Sequence, residues 1–184
     1  MASFLALHPR VDLRTVSLTP RLPFRGEATV SIWFETQPKE MEFAIQLGAV
    51  PYGVYARRDA DPDKLGWVSF FDEDAPRLAT VRALEKLRRK GERVRMTGTD
   101  ARILLTAVRA GVGKALLPMC MARGRDDLVR LGDGSPELTR VLNLHMHPDT
   151  VQTKRVQAVI RWLRESFEAD FAVRSSNAEE LEIA

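Results

Sequence analysis

Along the first third of the chain, apolar and polar residues alternate in short stretches. Val11–Leu18 (VDLRTVSL) has the two-residue period and β-branched content of a half-buried strand, and Pro20 and Pro23 close it. Thr29–Phe34 (TVSIWF) and Tyr52–Ala56 (YGVYA) are two further strands of this kind. The stretch between them, MEFAIQLGAVP, is apolar without a period that decides its type. Arg57–Lys64 (RRDADPDK) is polar and turn-forming, and is expected to be a junction.

From Trp67 onward the period lengthens. A short strand, Trp67–Phe71, runs into FDEDAP, which reads as a helix entry: Asp74 offers a capping carboxylate, and Pro76 has no N–H to lose in a first turn. Leu78, Val81, Leu84 and Leu87 then fall on one helical face, with Gly91 as the stop. Glu92–Thr97 returns as a strand. Thr99 or Asp100 caps the next helix, whose expected buried stripe is Ile103, Leu104, Ala107 and Val108. Gly111 closes that helix before the strand Lys114–Leu117, which ends at Pro118. Leu138–Met146 is another strand. Val151–Phe171 is the last helix, striped by Val156, Val159, Ile160, Leu163 and Phe167, and Arg174–Ala184 is a polar tail expected to fray. Alternating strands and helices predict the α/β class with a largely parallel sheet.

Composition narrows the classes. The 184 residues are 45% apolar and 29% charged, the balance of a globular protein with a real core. No apolar run approaches the roughly 20 residues of a membrane span, and the apolar patch in MASFLALHPR is shorter than a signal-peptide core. The single cysteine, Cys120, leaves no internal disulfide framework and fits a reducing compartment, so a cytoplasmic location is expected. With 28 basic and 25 acidic residues the net charge is +3, too balanced to imply direct nucleic-acid contact by this segment. The dense basic stretch Arg82–Arg95 is interrupted by Glu85 and Glu92 and reads as a solvated helix face, with a phosphate-binding patch as the alternative.

Reactive chemistry is sparse. His145 and His147 share a strand face, but only His8 accompanies them, which makes a weak start for a metal site. Glu40 with Glu42, and Asp72 with Asp74, pair carboxylates in polar turns where charge is expected anyway. No G-x-S-x-G elbow or phosphate loop is present. Cys120 stands in an apolar Met-Cys-Met context that favours an inert thiol. The residues therefore give no expectation of catalysis, metal or cofactor.

Four blocks, in order, carry a resemblance. Thr99–Pro118 (TDARILLTAVRAGVGKALLP) has a polar turn, an apolar helix, A-G-x-G and an apolar strand ending in proline. Phe4–Pro9 with VDLRTVSL, Pro51–Ala56 (PYGVYA), and His145–Phe167 (HMHPDTVQTKRVQAVIRWLRESF) complete the set. Together, across about residues 3–170, they resemble the effector-binding domain of LysR-type bacterial transcription regulators.

The resemblance implies a two-lobed, periplasmic-binding-protein-like (type 2) α/β fold with two crossing strands. Residues 1–56 and 140–172 would form lobe I, 57–139 lobe II, and 173–184 a flexible tail. It implies a sensor whose small-molecule effector, a carboxylate or an aromatic compound, sits between the lobes at strand ends and helix starts. Thr99, Asp100 and Arg102 are the candidate contacts at a helix N-terminus that attracts anions, and Thr106 lies a turn too far in. Trp33 and Phe34 are the candidates from lobe I, with filling of the core as the equal alternative; Trp67 is expected in the core. A homodimer or homotetramer is the implied assembly.

This sequence departs from the family pattern in three ways, one of them Thr29, which stands where the family often has an acidic residue. The match begins near the end of the first lobe-I helix, so the winged helix-turn-helix and the first strand have no counterpart, and an N-terminally truncated lobe I is expected to fold weakly or need a covering partner. Lys114 fills a usually apolar strand position and is expected to snorkel toward solvent, the alternative being a charge for an acidic ligand. A stand-alone ligand-binding protein and a non-functional fragment are the remaining alternatives, with an enzyme the poorer reading.

Overall fold

A computed structural model describes residues 1–15, 29–35, 42–71 and 78–171. Its elements in chain order are α1 (Ala2–Leu7), β1 (Ser31–Phe34), β2 (Phe43–Arg57), β3 (Trp67–Phe70), α2 (Ala79–Leu87), β4 (Val94–Gly98), α3 (Ala101–Arg109), β5 (Lys114–Pro118), α4 (Met119–Ala122), β6 (Leu128–Leu131), β7 (Leu138–Met146), α5 (Pro148–Val151) and α6 (Lys154–Phe171). The chain divides into two compact units: Met1–Ala49 with Val141–Ala184, and Val50–Arg140. β2 and β7 each begin in one unit and end in the other.

In the continuous unit, β3 lies between β4 and β5 and runs parallel to both. The crossovers through α2 and α3 return each following strand in the same direction. The expectation of a largely parallel sheet holds only there. β5 runs antiparallel to β2, from Tyr52↔Pro118 to Tyr55↔Ala115, and β6 flanks the other edge of β2, from Val54↔Leu131 to Arg57↔Leu128. Both being antiparallel to β2, β5 and β6 run in the same direction on its two edges, and the connection between them carries the four-residue α4.

The core of this unit is laid down by α3, which buries Leu104, Leu105, Ala107 and Val108 against Val68, Ala115 and Leu117. Ile103, expected in this stripe, is 46% exposed, and Leu105 takes its place. β5 is buried along its whole length, as a strand inside a sheet demands. Gly111 adopts φ +77° to end α3. Gly113 lets the chain pass so close to Gly66 that a Cβ would stand 2.6 Å from the Gly66 carbonyl oxygen.

α2 buries Thr80 and Leu84 and stops at Leu87, so Gly91 (φ +95°) serves the turn into β4 rather than the helix end itself. The expected entry through Asp74 and Pro76 lies outside the described residues, and Leu78 occupies the N-cap position.

In the discontinuous unit, β1 pairs antiparallel with β7 from Ser31↔His145 to Phe34↔Leu142. Leu144 and Met146 of β7 pack with Val156 and Ile160 of α6. Phe4 of α1 is buried, its ring 5.3 Å from that of Trp162. Val11–Thr15 carries no regular structure, and the rest of that expected strand lies outside the described residues, as does the tail beyond Phe171.

The undecided stretch before Tyr52 is the first half of β2, and the final helix is broken. His147 caps the short α5 through its ring Nδ1, which accepts from Asp149 N–H at 3.3 Å. Thr153 Oγ1 then accepts from Val156 N–H at 3.4 Å and starts α6.

Candidate functional site

Thr99, Asp100 and Arg102 occupy one turn, where the C-terminal end of β4 passes into α3, and all three are exposed. The Asp100 carboxylate accepts a hydrogen bond from Arg102 N–H at 2.6 Å, which makes it the helix cap. Its charge therefore partly answers the positive end of α3, and the Arg102 guanidinium is the cation left facing solvent. Thr106 is engaged elsewhere: its hydroxyl donates to Arg102 O at 2.9 Å.

Two neighbours shape the turn. Gly98 lets the first turn of α3 press down on β4, since a Cβ there would meet Leu104 Cδ1 at 3.0 Å. Phe71 follows β3 and donates its N–H to Gly98 O at 2.9 Å, which sets an exposed phenylalanine at the adjoining strand end. Strand ends beside a helix start are where open α/β sheets receive ligands. Sequence reasoning placed Phe71 only at the end of a strand; the parallel pairing that brings it beside Gly98 is a long-range fact. Along the outer flank of α3 runs a depression of about 360 Å³, lined by Met96, Arg102, Ile103, Thr106, Ala110 and Val112 among others.

Trp33 and Phe34 lie on β1, opposite Asn143 and Leu142, and both are half-buried. They belong to the discontinuous unit and the other three candidates to the continuous one. Neither is a member of the buried Leu144–Ile160 cluster.

Trp67 is in the core, as expected, and it is joined there by Lys114. The expectation that Lys114 snorkels is overturned. Its Nζ donates to Glu92 Oε1 at 2.7 Å and to Pro62 O at 3.2 Å, and lies 5.0 Å from the centre of the Trp67 ring. Glu92 Oε2 accepts from the Trp67 indole N–H at 2.6 Å and from Arg89 N–H at 3.0 Å. Burial alone would raise the Glu92 carboxyl, but these hydrogen bonds outweigh it and bring its pKa down to about 2. Glu92 holds Lys114 in place because it lies at the entry to β4, within reach of the start of β5.

The histidine pair separates: His145 is buried with Nδ1 3.3 Å from Glu42 Oε2, and exposed His147 caps α5. Among the described residues no group of three or more His, Cys, Asp or Glu side chains is placed to hold a metal ion.

The model of the LysR substrate binding domain family matches residues 1–168. The chain belongs to that family. It is an effector-sensing regulatory domain of the LysR type, and the solved structures it resembles are regulatory rather than enzymatic. The effector domain of the transcriptional regulator AmpR of Pseudomonas aeruginosa aligns over 91% of this chain and 87% of its own, with TM-score 0.68 and 20% identity. The Synechocystis CcmR regulatory domain in complex with 2-PG aligns over 76% and 73%, with TM-score 0.58 and 16% identity. Full-length LysG from Corynebacterium glutamicum with bound effector Arg aligns over 78% of this chain and 52% of its own, with TM-score 0.56 and 17% identity. At such identities the likeness establishes the fold, the type 2 periplasmic-binding-protein-like arrangement of α/β elements expected from the sequence. Among curated proteins no sequence match is found. No helix among the described residues is long and apolar enough to cross a membrane.

Proposed function

We propose that this LysR-family domain senses a small carboxylate at the turn between β4 and α3. The observation that carries the reading is exposed Arg102 in the first turn of α3, three residues after exposed Thr99 and following the ends of two parallel strands. A guanidinium grips a carboxylate by two parallel hydrogen bonds, and a helix N-terminus adds its dipole. Asp100 takes part as the cap that fixes the turn. Trp33 and Phe34 stand as aromatic contact candidates through the family resemblance. The effector's bias toward one conformation is limited to its difference in affinity between the two, and that difference is what a regulator relays.

The test is a thermal-shift screen of small carboxylates and amino acids, with titration calorimetry on any hit. Replacing Arg102 by Gln should weaken a true effector about tenfold or more, the loss of roughly 1.4 kcal/mol. Equal affinity in wild type and the Arg102→Gln and Thr99→Ala variants would sink this location. Trp33→Ala and Phe34→Ala, titrated with the same hit, test the aromatic contacts separately.

Self-association, as a homodimer or homotetramer, is the second part of the proposal. Val94 and Ile103 are 37% and 46% exposed on the same unit as the α3 depression, which is apolar surface that a second copy would cover. Light scattering across a concentration series tests it, and a monomer at all concentrations would count against it.

A further inference from the structure

The turn between α2 and β4 carries a run of like charge whose one carboxylate faces inward. From Lys86 to Arg95 the sequence holds six cations (Lys86, Arg88, Arg89, Lys90, Arg93 and Arg95) and a single acid, Glu92. All six cations are exposed. Glu92 is not available to balance them, because its two oxygens are taken by Lys114, the Trp67 indole and Arg89 N–H. Arg89 has an ion-pair partner, exposed Asp63 at 3.1 Å. The helix also ends at Leu87, so most of the run lies on a turn and an edge strand rather than along a helix face. Gly91 at the tip has nothing within 4 Å of where a Cβ would stand, so the turn is open at that position. At the far end of the run, the Arg95 stem lies over Gly66, where a Cβ would meet Arg95 Cγ at 2.6 Å.

We propose that this turn is a contact surface for the phosphate backbone of duplex nucleic acid. It goes beyond the effector reading and does not rest on it. The whole-chain charge of +3 conceals the surface, because most of the acidic residues that balance the total lie elsewhere in the sequence; of those near the run, Glu92 points inward and exposed Asp63 pairs with Arg89. A surface with this excess of positive charge complements a polyanion and suits it better than a partner of mixed sign. Between Lys86 and Arg102 there is no aromatic residue to stack on bases, so the contact is with backbone phosphates and not with splayed single strands. Exposed apolar surface in the run is confined to Leu87 and Val94, at 36% and 37%, too little to anchor in a bilayer.

The experiment is fluorescence anisotropy of the whole 184-residue chain with a mixed-sequence duplex of about 25 base pairs, titrated across salt concentrations. Neutralising about four phosphates predicts a slope of about −4 in log affinity against log salt, with a Kd of roughly 10⁻⁴–10⁻⁶ M near physiological salt. The triple variant Arg88→Glu/Lys90→Glu/Arg93→Glu should bind at least about tenfold more weakly and lose most of that slope. The milder Arg88→Gln/Lys90→Gln/Arg93→Gln variant should fall between the two, with an unchanged thermal melt for both. Lys154→Glu/Arg155→Glu/Arg161→Glu, an equal charge change among exposed residues of α6, should leave binding within about twofold. Three outcomes overturn the proposal: no salt-dependent binding, an equal loss in both charge-reversed triples, or tighter binding to an acidic peptide or to phosphatidylserine vesicles than to the duplex.

Discussion

Lys114 at the head of β5 and Glu92 at the entry to β4 form an ion pair of 2.7 Å, with their side chains only 8% and 13% exposed. Each charge is held by further partners: the Pro62 carbonyl on one side, the Trp67 indole and a backbone N–H on the other. Breaking such a pair on one side strands a buried charge, at a cost of about 3–5 kcal/mol, whereas replacing both members is far milder. Lys114→Met is therefore expected to lower stability by about 3–5 kcal/mol in urea unfolding. Lys114→Met with Glu92→Gln should recover most of the loss, because Gln leaves no buried charge and its oxygen still serves Trp67. A double variant no better than Lys114→Met alone would remove the pairing explanation.

The same carboxyl makes stability depend on pH. Glu92 has a pKa of about 2 in the folded protein against an ordinary 4.5. A depressed folded pKa gives stability that is fully present above the unfolded value and is lost as pH falls through the folded one. The wild type should hold its Glu92 contribution above pH 4.5 and shed it between 4.5 and about 2. Glu92→Gln should show a flatter profile over that window. Urea midpoints at several acid pH values check this, and parallel curves for the two proteins would contradict it.

At the candidate site, Asp100 does two separable things. As the cap of α3 it is worth about 1 kcal/mol, so Asp100→Ala should lower the melting temperature. Asn caps as well as Asp, so Asp100→Asn should keep nearly full stability while removing a negative charge beside Arg102. If a carboxylate binds at this turn, Asp100→Asn should bind it more tightly than wild type in calorimetry. Weaker binding by the Asn variant would mean that the effector needs the Asp100 charge, and is cationic or a hydrogen-bond donor.

Two glycines should respond for different reasons. Gly113→Ala drives a methyl to 2.6 Å from the Gly66 carbonyl oxygen, backbone against backbone, with no flexible atom to yield. Gly91→Ala meets open space and costs only its left-handed backbone, about 1–2 kcal/mol. Denaturation should rank Gly113→Ala as clearly the worse. The reverse order would show that the β5 entry relaxes freely.

Local pattern was enough to read much of this molecule. The A-G-x-G turn after α3, β5 with its apolar run Ala115–Pro118, and the Leu138–Met146 strand lie where periodicity and glycine chemistry put them. What failed depended on partners distant in sequence. Ile103 carries the right period for the core, yet the packing of α3 on β3 and β5 selects Leu105. Lys114 looked like a residue bound for solvent because nothing local announces that Glu92, 22 residues earlier, arrives beside it. The helix expected from Val151 starts instead at Lys154, because the Thr153 hydroxyl caps a new helix after the short α5. At the candidate site the capping motif at Asp100 was legible from sequence, whereas the approach of Phe71 required the parallel pairing of β3 with β4.

The division of the chain also fixes an order of assembly. Residues 50–140 form one unbroken stretch, whereas the other unit draws on both ends of the polypeptide. During synthesis the continuous unit has all its segments once Arg140 has emerged, while Phe4 still lacks Trp162 and Leu144 still lacks Ile160. Domains fold as their segments become available. The unit built from residues 1–49 and 141–184 is thus complete after the one built from 50–140, and Phe4 and Leu144 lack Trp162 and Ile160 until α6 has been made.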